Sequence, residues 1–320
     1  MVRRRNLVRK ICAIFAIVIC LVLQMRQTGH IEENYSRLSE GQIEQIAEGA
    51  AADMEKRRNL VKNVCKKYRL GLYEVKGKKS QLFDHPRIAI DHHFIILQEH
   101  NLTYCPINKA ASSTWRHHVL HLTGISGSIP QGSILDLHQL GKALTSSIKM
   151  VTVRHPFVRL VSAFRDKLEN VSATPNNPKQ LYSRLVWGKI EARTGSRGSG
   201  DVTFRQFVRH LIAEPAEDLD EHWRPFYVQC MPCVVNYDVI AHVETLFRDQ
   251  MYLIRAARLE GKIRPAWQNR AASGAIDPSR YFQQLSKNDV RRLHGKFRLD
   301  FELFGYDQLE SYLTFAKEKD

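Results

Sequence analysis

One segment limits the fold of this chain more than any other: residues 103–122, TYCPINKAASSTWRHHVLHL. An apolar, β-prone run ends at Pro106, small and hydroxyl residues follow Lys109, and apolar residues then recur at helical spacing. This order predicts a strand, a tight loop and the first turn of a helix. The backbone N–H groups of such a loop point at one place, where the helix dipole adds about half a positive charge. The segment therefore predicts a site for phosphate or sulfate.

The residue types of this loop narrow the choice of anion. Lys109 is placed where its ammonium group reaches the same anion, and Ser112, Ser113 and Thr114 add hydroxyl groups. The phosphate loop of ATP- and GTP-binding enzymes carries glycines before its lysine, whereas this loop has none. The sequence therefore disfavours a nucleoside triphosphate loop and leaves open an ordinary strand–loop–helix with a surface lysine.

A second segment repeats the same order about 45 residues later. Residues 148–153 form a short apolar run that ends at Arg154, and Pro156 stands where the first turn of a helix tolerates proline. Arg154 then lies at the end of a buried strand, and Ser162 lies two turns into the helix. Two such crossovers predict an α/β fold with a doubly wound parallel sheet and a ligand at the carboxyl ends of its strands.

The N-terminus predicts a membrane anchor. Residues 11–23 are thirteen consecutive apolar residues, preceded by a basic stretch and followed by Arg26 without a small-x-small cleavage site. The run is shorter than the roughly 20 residues of a full span, so a cleaved signal peptide is the alternative. The basic flank keeps the N-terminal tail in the cytosol. We expect a cytosolic tail at 1–10, a signal anchor at 11–25, a luminal stem at 26–58 and one folded domain at 59–320.

The stem is expected to be helical. Ser39 and Gln42 form a predicted capping box, and apolar residues follow at helical spacing. The first part, Glu40 to Arg58, is interpreted as a solvated spacer, and the turns from Leu60 to Tyr68 are expected to dock on the domain.

The net charge of +15 indicates a polyanionic partner. Six of the 48 basic residues lie in the first 26 positions, which leaves 42 against 33 acidic residues in the rest of the chain. This positive excess complements nucleic acid, anionic lipid and an acidic glycan equally well, so the net charge alone does not identify the partner.

The cysteines and sequons fit passage through the secretory pathway. Four cysteines follow the anchor, and an even number in an oxidising compartment predicts disulfides, with three pairings open. Three N-x-[ST] sequons predict glycosylation. The cysteines are Cys65, Cys105, Cys230 and Cys233, and the sequons begin at Asn34, Asn101 and Asn170.

Five blocks of the chain, taken in order, resemble the Golgi carbohydrate sulfotransferases, most closely the chondroitin/dermatan 4-O-sulfotransferase group. The resemblance spans roughly residues 60–310. The blocks are VCKKYRL from Val64, INKAASSTW from Ile107, VRHPFVRLVSAFRDKLE from Val153, HWRPFYVQCMPCVVNYDVIAHVET from His222 and DFELFGY from Asp300.

The resemblance implies a P-loop-like α/β fold with flanking helices, a 3′-phosphoadenosine 5′-phosphosulfate donor (PAPS) and no metal. It places Arg154 and Ser162 at the donor's 3′-phosphate, which suits a guanidinium fork and a hydroxyl. The chain departs from the VPKVACTNW-like loop of the vertebrate enzymes, and His155 stands where other relatives carry an acidic residue. By position, the 5′-phosphosulfate loop comprises Lys109, Ala110, Ala111, Ser112, Ser113, Thr114 and Trp115.

Sulfuryl transfer also requires a group that accepts the proton of the sugar hydroxyl. Histidine, with an ordinary pKa of about 6.5, suits the mildly acidic Golgi. His222 opens one of the matching blocks and is the predicted base; packing on Trp223 with a hydrogen bond to a core carbonyl is the alternative. His138, in the loop before the second predicted strand, is the next candidate.

Together these observations predict a type II Golgi membrane enzyme that sulfates a glycan, with O-4 of GalNAc in chondroitin or dermatan as the expected acceptor position. The expected partner is an acidic glycan, either a glycosaminoglycan or an N- or O-linked glycan, and not nucleic acid. A glycan-binding relative without activity and a sulfotransferase for another glycoprotein or glycolipid glycan are the alternatives. The absent Walker glycines and the anchor disfavour a nucleotide kinase.

Overall fold

The computed structural model describes residues 35–74, 94–125, 137–169, 179–194, 202–268 and 277–318. Within these ranges the strands are β1 Ile95–Leu97, β2 Leu102–Cys105, β3 Ile148–Val153 and β4 Val239–His242. The α-helices there are α1 Glu40–Tyr68, α2 Ser112–Thr123, α3 Leu137–Ser146, α4 Pro156–Lys167, α5 Lys179–Thr194, α6 Phe204–Ala213, α7 Phe226–Gln229, α8 Leu246–Ala256, α9 Ser279–Phe282, α10 Lys287–Phe304 and α11 Leu309–Phe315.

The four strands form one mixed sheet in the order β1-β2-β3-β4. Strands β2, β3 and β4 are parallel, which confirms the prediction for three strands. The prediction is wrong for β1, which pairs antiparallel with β2. Only four residues separate β1 from β2, and a parallel pair needs a crossover of a dozen residues or more. The strand order does not reverse within the described part of the sheet.

Helices cover both faces of this sheet, as the sequence predicted for an α/β fold. Side chains alternate along each strand, so Met150 and Val151 of β3 enter different apolar clusters. One face packs Leu102, Tyr104, Met150 and Val239 against Met54, Trp115, Val119, Leu253 and Ile254. The opposite face packs Cys105, Val151, Val153 and Ile240 against Val61, Val64, Phe226, Leu299 and Leu303.

Helix α1 covers the β4 edge of the sheet. Nη1 of Arg57 donates to the carbonyl oxygen of Ile240, and Nη1 of Arg58 donates to that of Asp238, each at 2.8 Å. These bonds satisfy carbonyl groups that an edge strand otherwise leaves unpaired. The predicted capping box of Ser39 is present. Because the helix is buried at intervals from Ala47 onward, residues 47–58 pack on the domain instead of forming the expected solvated spacer, and the expected boundary at residue 58 falls inside the helix.

Three further elements differ from the prediction. The sequence of residues 172–200, with proline- and glycine-rich ends, predicts an irregular region, but α5 occupies 179–194 of it. His138 was expected in a loop and instead lies in the first turn of α3. Strand β4 was not predicted, because four apolar residues do not distinguish a strand from a buried helix turn. The sequence also predicts a helix with Thr203 as its N-cap, and the structure confirms both this helix and the strand at 148–153.

Two disulfides join the cysteines of the folded domain. Cys65 at the end of α1 pairs with Cys233, and Cys105 at the end of β2 pairs with Cys230. The structure therefore confirms that these cysteines form disulfides and selects one of the three pairings. Cys230 and Cys233, which form a C-x-x-C motif, are thus bonded to two different elements and not to each other.

The predicted anchor at 11–25 lies outside the described residues, as do the sequons at Asn34 and Asn170. In the ranges that the structure describes, no helix combines the length and the apolar composition that crossing a membrane requires. The side chain of Asn101 is exposed. Its sequon partner Thr103 is fully buried, with Oγ1 2.6 Å from Oγ of Ser147.

Candidate active site

The loop between β2 and α2 has an unusual backbone. Lys109 and Ala111 both adopt the left-handed region, with φ of 67° and 60°. This conformation is unfavourable for residues other than glycine and tends to occur at functional sites. Left-handed residues occur in anion-binding nests, where successive N–H groups face one anion; here the Ala110 N–H donates to the Ile107 carbonyl at 3.1 Å and closes a turn. The first intrahelical bond of α2 runs from the Trp115 N–H to the Ala111 carbonyl, so the N–H groups of the preceding turn face the same end.

Neighbouring elements hold this loop from several sides. Nε2 of Gln229 donates to the Pro106 carbonyl at 3.1 Å, next to the Cys105–Cys230 disulfide. Nε of Arg159 donates to the Asn108 carbonyl at 2.9 Å. Nη1 of Arg154 donates to the Lys109 carbonyl at 3.3 Å. The strained loop is therefore supported by α4, α7 and the residue that ends β3.

The side chain of Lys109 forms an ion pair with Asp166 of α4, with 2.6 Å between Nζ and Oδ2. Nζ of Lys167 lies 3.3 Å from the same carboxylate oxygen. Burial alone raises the pKa of Asp166, but the two lysines lower it below its ordinary value. Ser162 lies four residues before Asp166, so both occupy one face of α4. The predicted donor residues Lys109 and Ser162 therefore share one side of the site.

Glu244 organises the end of β3. Its Oε1 accepts the N–H of His155 at 2.8 Å, and its Oε2 accepts the hydroxyl of Tyr306 at 2.9 Å. Burial lowers the pKa of Arg154, and the charge of Glu244 acts in the opposite direction. The structure thus sets a charged guanidinium at the carboxyl end of β3, beside the Lys109 loop.

Part of the predicted donor loop faces the core instead of the loop concavity. The Thr114 side chain is fully buried and its Oγ1 accepts the Gln268 N–H at 3.0 Å. The indole of Trp115 is 1% exposed and packs on Tyr104. Ala110 is also buried. These residues line the site through their backbone alone, whereas Lys109, Ser112 and Ser113 keep exposed or half-buried side chains.

His222 is held by a carboxylate and not by a core carbonyl. Oδ1 of Asp220 lies 2.7 Å from Nδ1 of His222 and also accepts the His222 N–H at 2.9 Å. The hydroxyl of Tyr182 lies 3.1 Å from the same ring nitrogen. Burial raises the pKa of Asp220, but hydrogen bonds from His222 and Tyr182 lower it to about 2. The ionised carboxylate favours a proton on Nδ1, which leaves Nε2 as the basic nitrogen.

A continuous set of contacts connects Lys109 to His222. Lys109 binds Asp166, Lys167 contacts the same carboxylate, and Nζ of Lys167 lies 5.3 Å from the centre of the Tyr182 ring. Tyr182 in turn contacts His222. The structure therefore brings the predicted anion loop and the predicted base to the same region. The side chain of His138 lies outside the described part of the chain.

The motifs of the sequence did not indicate the residues that connect these groups, which are Asp166, Tyr182, Asp220, Arg159 and Glu244. A signal existed for two of them, since Asp166 lies one helical turn after Ser162 and Asp220 lies two residues before His222. In the part of the chain that the structure describes, no group of three or more His, Cys, Asp or Glu side chains is arranged to hold a metal ion.

Comparison with known proteins identifies the family of the chain. The family model described as "Sulfotransferase family" matches residues 92–307. Carbohydrate sulfotransferase 11 of Rattus norvegicus is 27% identical over 236 residues, which cover 67% of each chain. Carbohydrate sulfotransferase 10 of Xenopus laevis is 29% identical over 250 residues, or 69% of each chain. Carbohydrate sulfotransferase 8 of Mus musculus is 28% identical over 282 residues, covering 79% of this chain and 64% of its own. No solved structure gives a significant match.

Proposed function

We propose, since this chain belongs to the sulfotransferase family, that it transfers a sulfuryl group from PAPS to a hydroxyl group of a carbohydrate. The observation that carries this proposal is the convergence of Lys109 and Arg154. They follow two different parallel strands, and the guanidinium of Arg154 donates to the carbonyl of Lys109 at 3.3 Å. Two cations from separate strand ends suit a ligand with two separate anionic groups.

The residues present fit such a donor. The nest around Lys109 and Ala111 offers N–H groups to the 5′-phosphosulfate, together with the hydroxyls of Ser112 and Ser113. Arg154 and Ser162 are assigned to the 3′-phosphate. When bound, the donor supplies the activated sulfuryl group. Lys109 is assigned to the bridging oxygen, where its charge stabilises the negative charge that develops as that oxygen departs.

His222 is assigned as the base that accepts the proton of the attacking hydroxyl. Asp220 holds Nδ1 at 2.7 Å, and a base oriented by a second group is the arrangement that proton transfer requires. In the ground state Lys109 is paired with Asp166. We expect the incoming donor to compete with this carboxylate for the ammonium group.

The acceptor is proposed to be a GalNAc-containing glycosaminoglycan such as chondroitin or dermatan, modified at O-4. The positive net charge supports an acidic acceptor, and the carbohydrate sulfotransferases among the relatives support a glycan. Two disulfides support an oxidising compartment, so we propose a Golgi membrane protein of type II topology. Glycosylation at Asn101 would have to precede folding, because Thr103 is buried in the native sheet.

Incubation of the purified full chain with radiolabelled PAPS and a panel of desulfated glycans tests the proposal. We expect label to enter at least one glycan. Lys109→Ala should lower the rate by about 10²–10³-fold, the usual loss when one group that stabilises developing charge is removed. Arg154→Ala should chiefly weaken donor binding, because it removes a contact made before the reaction.

Lys142→Ala is the control, since this lysine is exposed on α3. It should leave the rate unchanged. Donor binding without transfer to any glycan would indicate the glycan-binding relative without activity. Full activity in Lys109→Ala would show that the site is assigned to the wrong residues.

A further inference from the structure

We infer that Arg159 is a positioning residue that sets the distance between the Lys109 loop and the His222 segment; this inference rests on the function proposed above. Arg159, on α4, is 1% exposed, and its guanidinium lies between two stretches of chain that are far apart in sequence. Besides the contacts that run through Asp166 and Tyr182, this side chain connects the two stretches directly.

The contacts of Arg159 divide between the two stretches. Nε donates to the Asn108 carbonyl at 2.9 Å, immediately before Lys109. Nη1 donates to the Arg224 carbonyl at 2.7 Å, and Nη2 donates to the Glu221 carbonyl at 3.2 Å. The last two carbonyls flank His222 on either side. One rigid planar group therefore fixes the position of the donor loop relative to both ends of the predicted base segment.

The surroundings of Arg159 limit its own movement. Its guanidinium carbon lies 4.7 Å from the centre of the Phe226 ring. The N–H groups of Phe226 and Tyr227 are in turn held by the two carboxylate oxygens of Asp300, at 2.7 and 2.9 Å. Burial lowers the pKa of Arg159 to about 10, while the charges of Asp300 and Asp220 act in the opposite direction. A buried arginine of this kind is retained in the charged form at neutral pH.

Only arginine suits this position. Its fork offers donors in fixed directions, whereas lysine presents a single rotatable ammonium group. Each of the three nitrogens donates to a backbone carbonyl, and Arg159 is buried, so its side chain does not reach a substrate. Its role is therefore to position Lys109 and His222 and not to contact the reacting atoms. Misplacement of reacting groups by about 1 Å costs on the order of 10²-fold in rate.

The test compares Arg159→Lys with Arg57→Lys in the full chain. Arg57 is a matched control because its guanidinium also joins separate elements, through Ile240, Thr245 and Asp249, at the opposite β4 edge. We expect Arg159→Lys to lower kcat by about 10- to 100-fold with KM values for donor and acceptor changed by less than about threefold. Arg57→Lys should reduce stability and leave kcat unchanged.

Amide hydrogen exchange provides a readout that does not depend on turnover. Arg159→Lys should raise exchange at residues 106–112 and 220–225 together, because both stretches lose the same anchor, and Arg57→Lys should raise it at neither. Unchanged exchange in either stretch, or a kcat no lower than that of Arg57→Lys, overturns the inference. A native chain that transfers no sulfate refutes the proposed function, while the exchange data still decide whether Arg159 positions the two stretches.

Discussion

At the scale of single residues, Asp220 determines which nitrogen of His222 is basic. Its carboxylate binds Nδ1 and the backbone N–H of the same histidine through one oxygen. Hydrogen bonds outweigh burial and hold the pKa of Asp220 at about 2. The carboxylate is therefore ionised at every pH at which the enzyme is expected to work. In the proposed mechanism it favours the tautomer with the proton on Nδ1, orients the ring and stabilises the imidazolium that forms when Nε2 accepts the proton.

Asp220→Asn tests this role. The amide removes the charge and also permits the wrong tautomer, so we expect kcat to fall, up to the roughly 10²–10⁴-fold that a general base contributes. Steady-state rates of the native chain and of the variant check this fall.

Asp218→Asn is the control, because Asp218 is an exposed carboxylate two residues earlier. Its kcat should match that of the native chain. An unchanged kcat in Asp220→Asn would show that this carboxylate does not orient a catalytic base.

The sequence motifs predicted the cationic groups of the site better than they predicted which of their other residues face the core. Lys109 and Arg154 follow strands whose carboxyl ends meet, so their convergence could be predicted from strand order alone. Thr114 and Trp115 lie in the same continuous motif, but helical periodicity turns them to the core. Asp166 was missed because its partner Lys109 lies 57 residues earlier in the chain. A contact of that kind depends on tertiary packing, which local patterns do not contain.

At the scale of elements, α1 belongs to the core of the domain. It is a continuous helix of 29 residues. Met54 is fully buried against the face of the sheet that carries Met150 and Val239. Arg57 binds Asp249 at 2.6 Å. The part of the helix that was predicted to be a spacer therefore contributes apolar contacts, hydrogen bonds and an ion pair to the folded domain.

Met54→Ala measures that contribution. Removal of a fully buried methionine side chain should lower the free energy of unfolding by about 2–5 kcal/mol. The exposed neighbour Glu55 provides the control, and Glu55→Ala should change stability by less than about 0.5 kcal/mol. Urea titration followed by circular dichroism checks both values. Equal stabilities would mean that this part of α1 does not pack on the sheet.

Whether an element could be predicted depended on its length and on the residues that flank it. Helices with an N-cap signal were predicted, as at Ser39 and Thr203. Strand β4 was missed because its four apolar residues carry no signal that separates a strand from a helix turn. Helix α5 was missed because Pro- and Gly-rich stretches flank it. Its buried residues Val186 and Ile190 are four apart, as in a helix. This single pair is a weaker signal than the loop-type composition of the flanking stretches.

At the scale of the whole molecule, two buried histidines couple stability to pH. His155 stacks on Tyr312 and His242 stacks on Tyr306, with ring centres 5.1 Å apart in each pair. Burial lowers the pKa of both histidines to about 3, and nearby arginine charges add to the effect: Arg154 at His155, and Arg57 and Arg248 at His242. Both are therefore neutral in the folded chain at neutral and mildly acidic pH.

The sign of this coupling follows from the two states. Below the ordinary pKa of 6.5 the unfolded chain binds a proton at each histidine, whereas the folded chain does not until about pH 3. Stability is therefore lost as the pH falls through this window, by up to about 1.4 kcal/mol per pH unit for each histidine. Asp300 offsets the effect of one of the two histidines. Burial raises its pKa to about 7, so as the pH falls the folded chain takes up this proton before the unfolded chain does.

His155→Phe should make the acid loss of stability less steep. Phenylalanine keeps the aromatic contacts with Tyr312 and Phe301 and cannot bind a proton, so the slope should fall by up to about 1.4 kcal/mol per pH unit between about pH 5 and pH 6.5. At about pH 7.5 His155 is neutral in both states, so any difference in stability there reports the changed packing and not proton binding. Urea titrations at several pH values measure the slope.

His121→Phe is the control, because His121 is exposed on α2; it should leave the slope unchanged. Equal slopes in the native chain and in His155→Phe would show that His155 is protonated in the folded state.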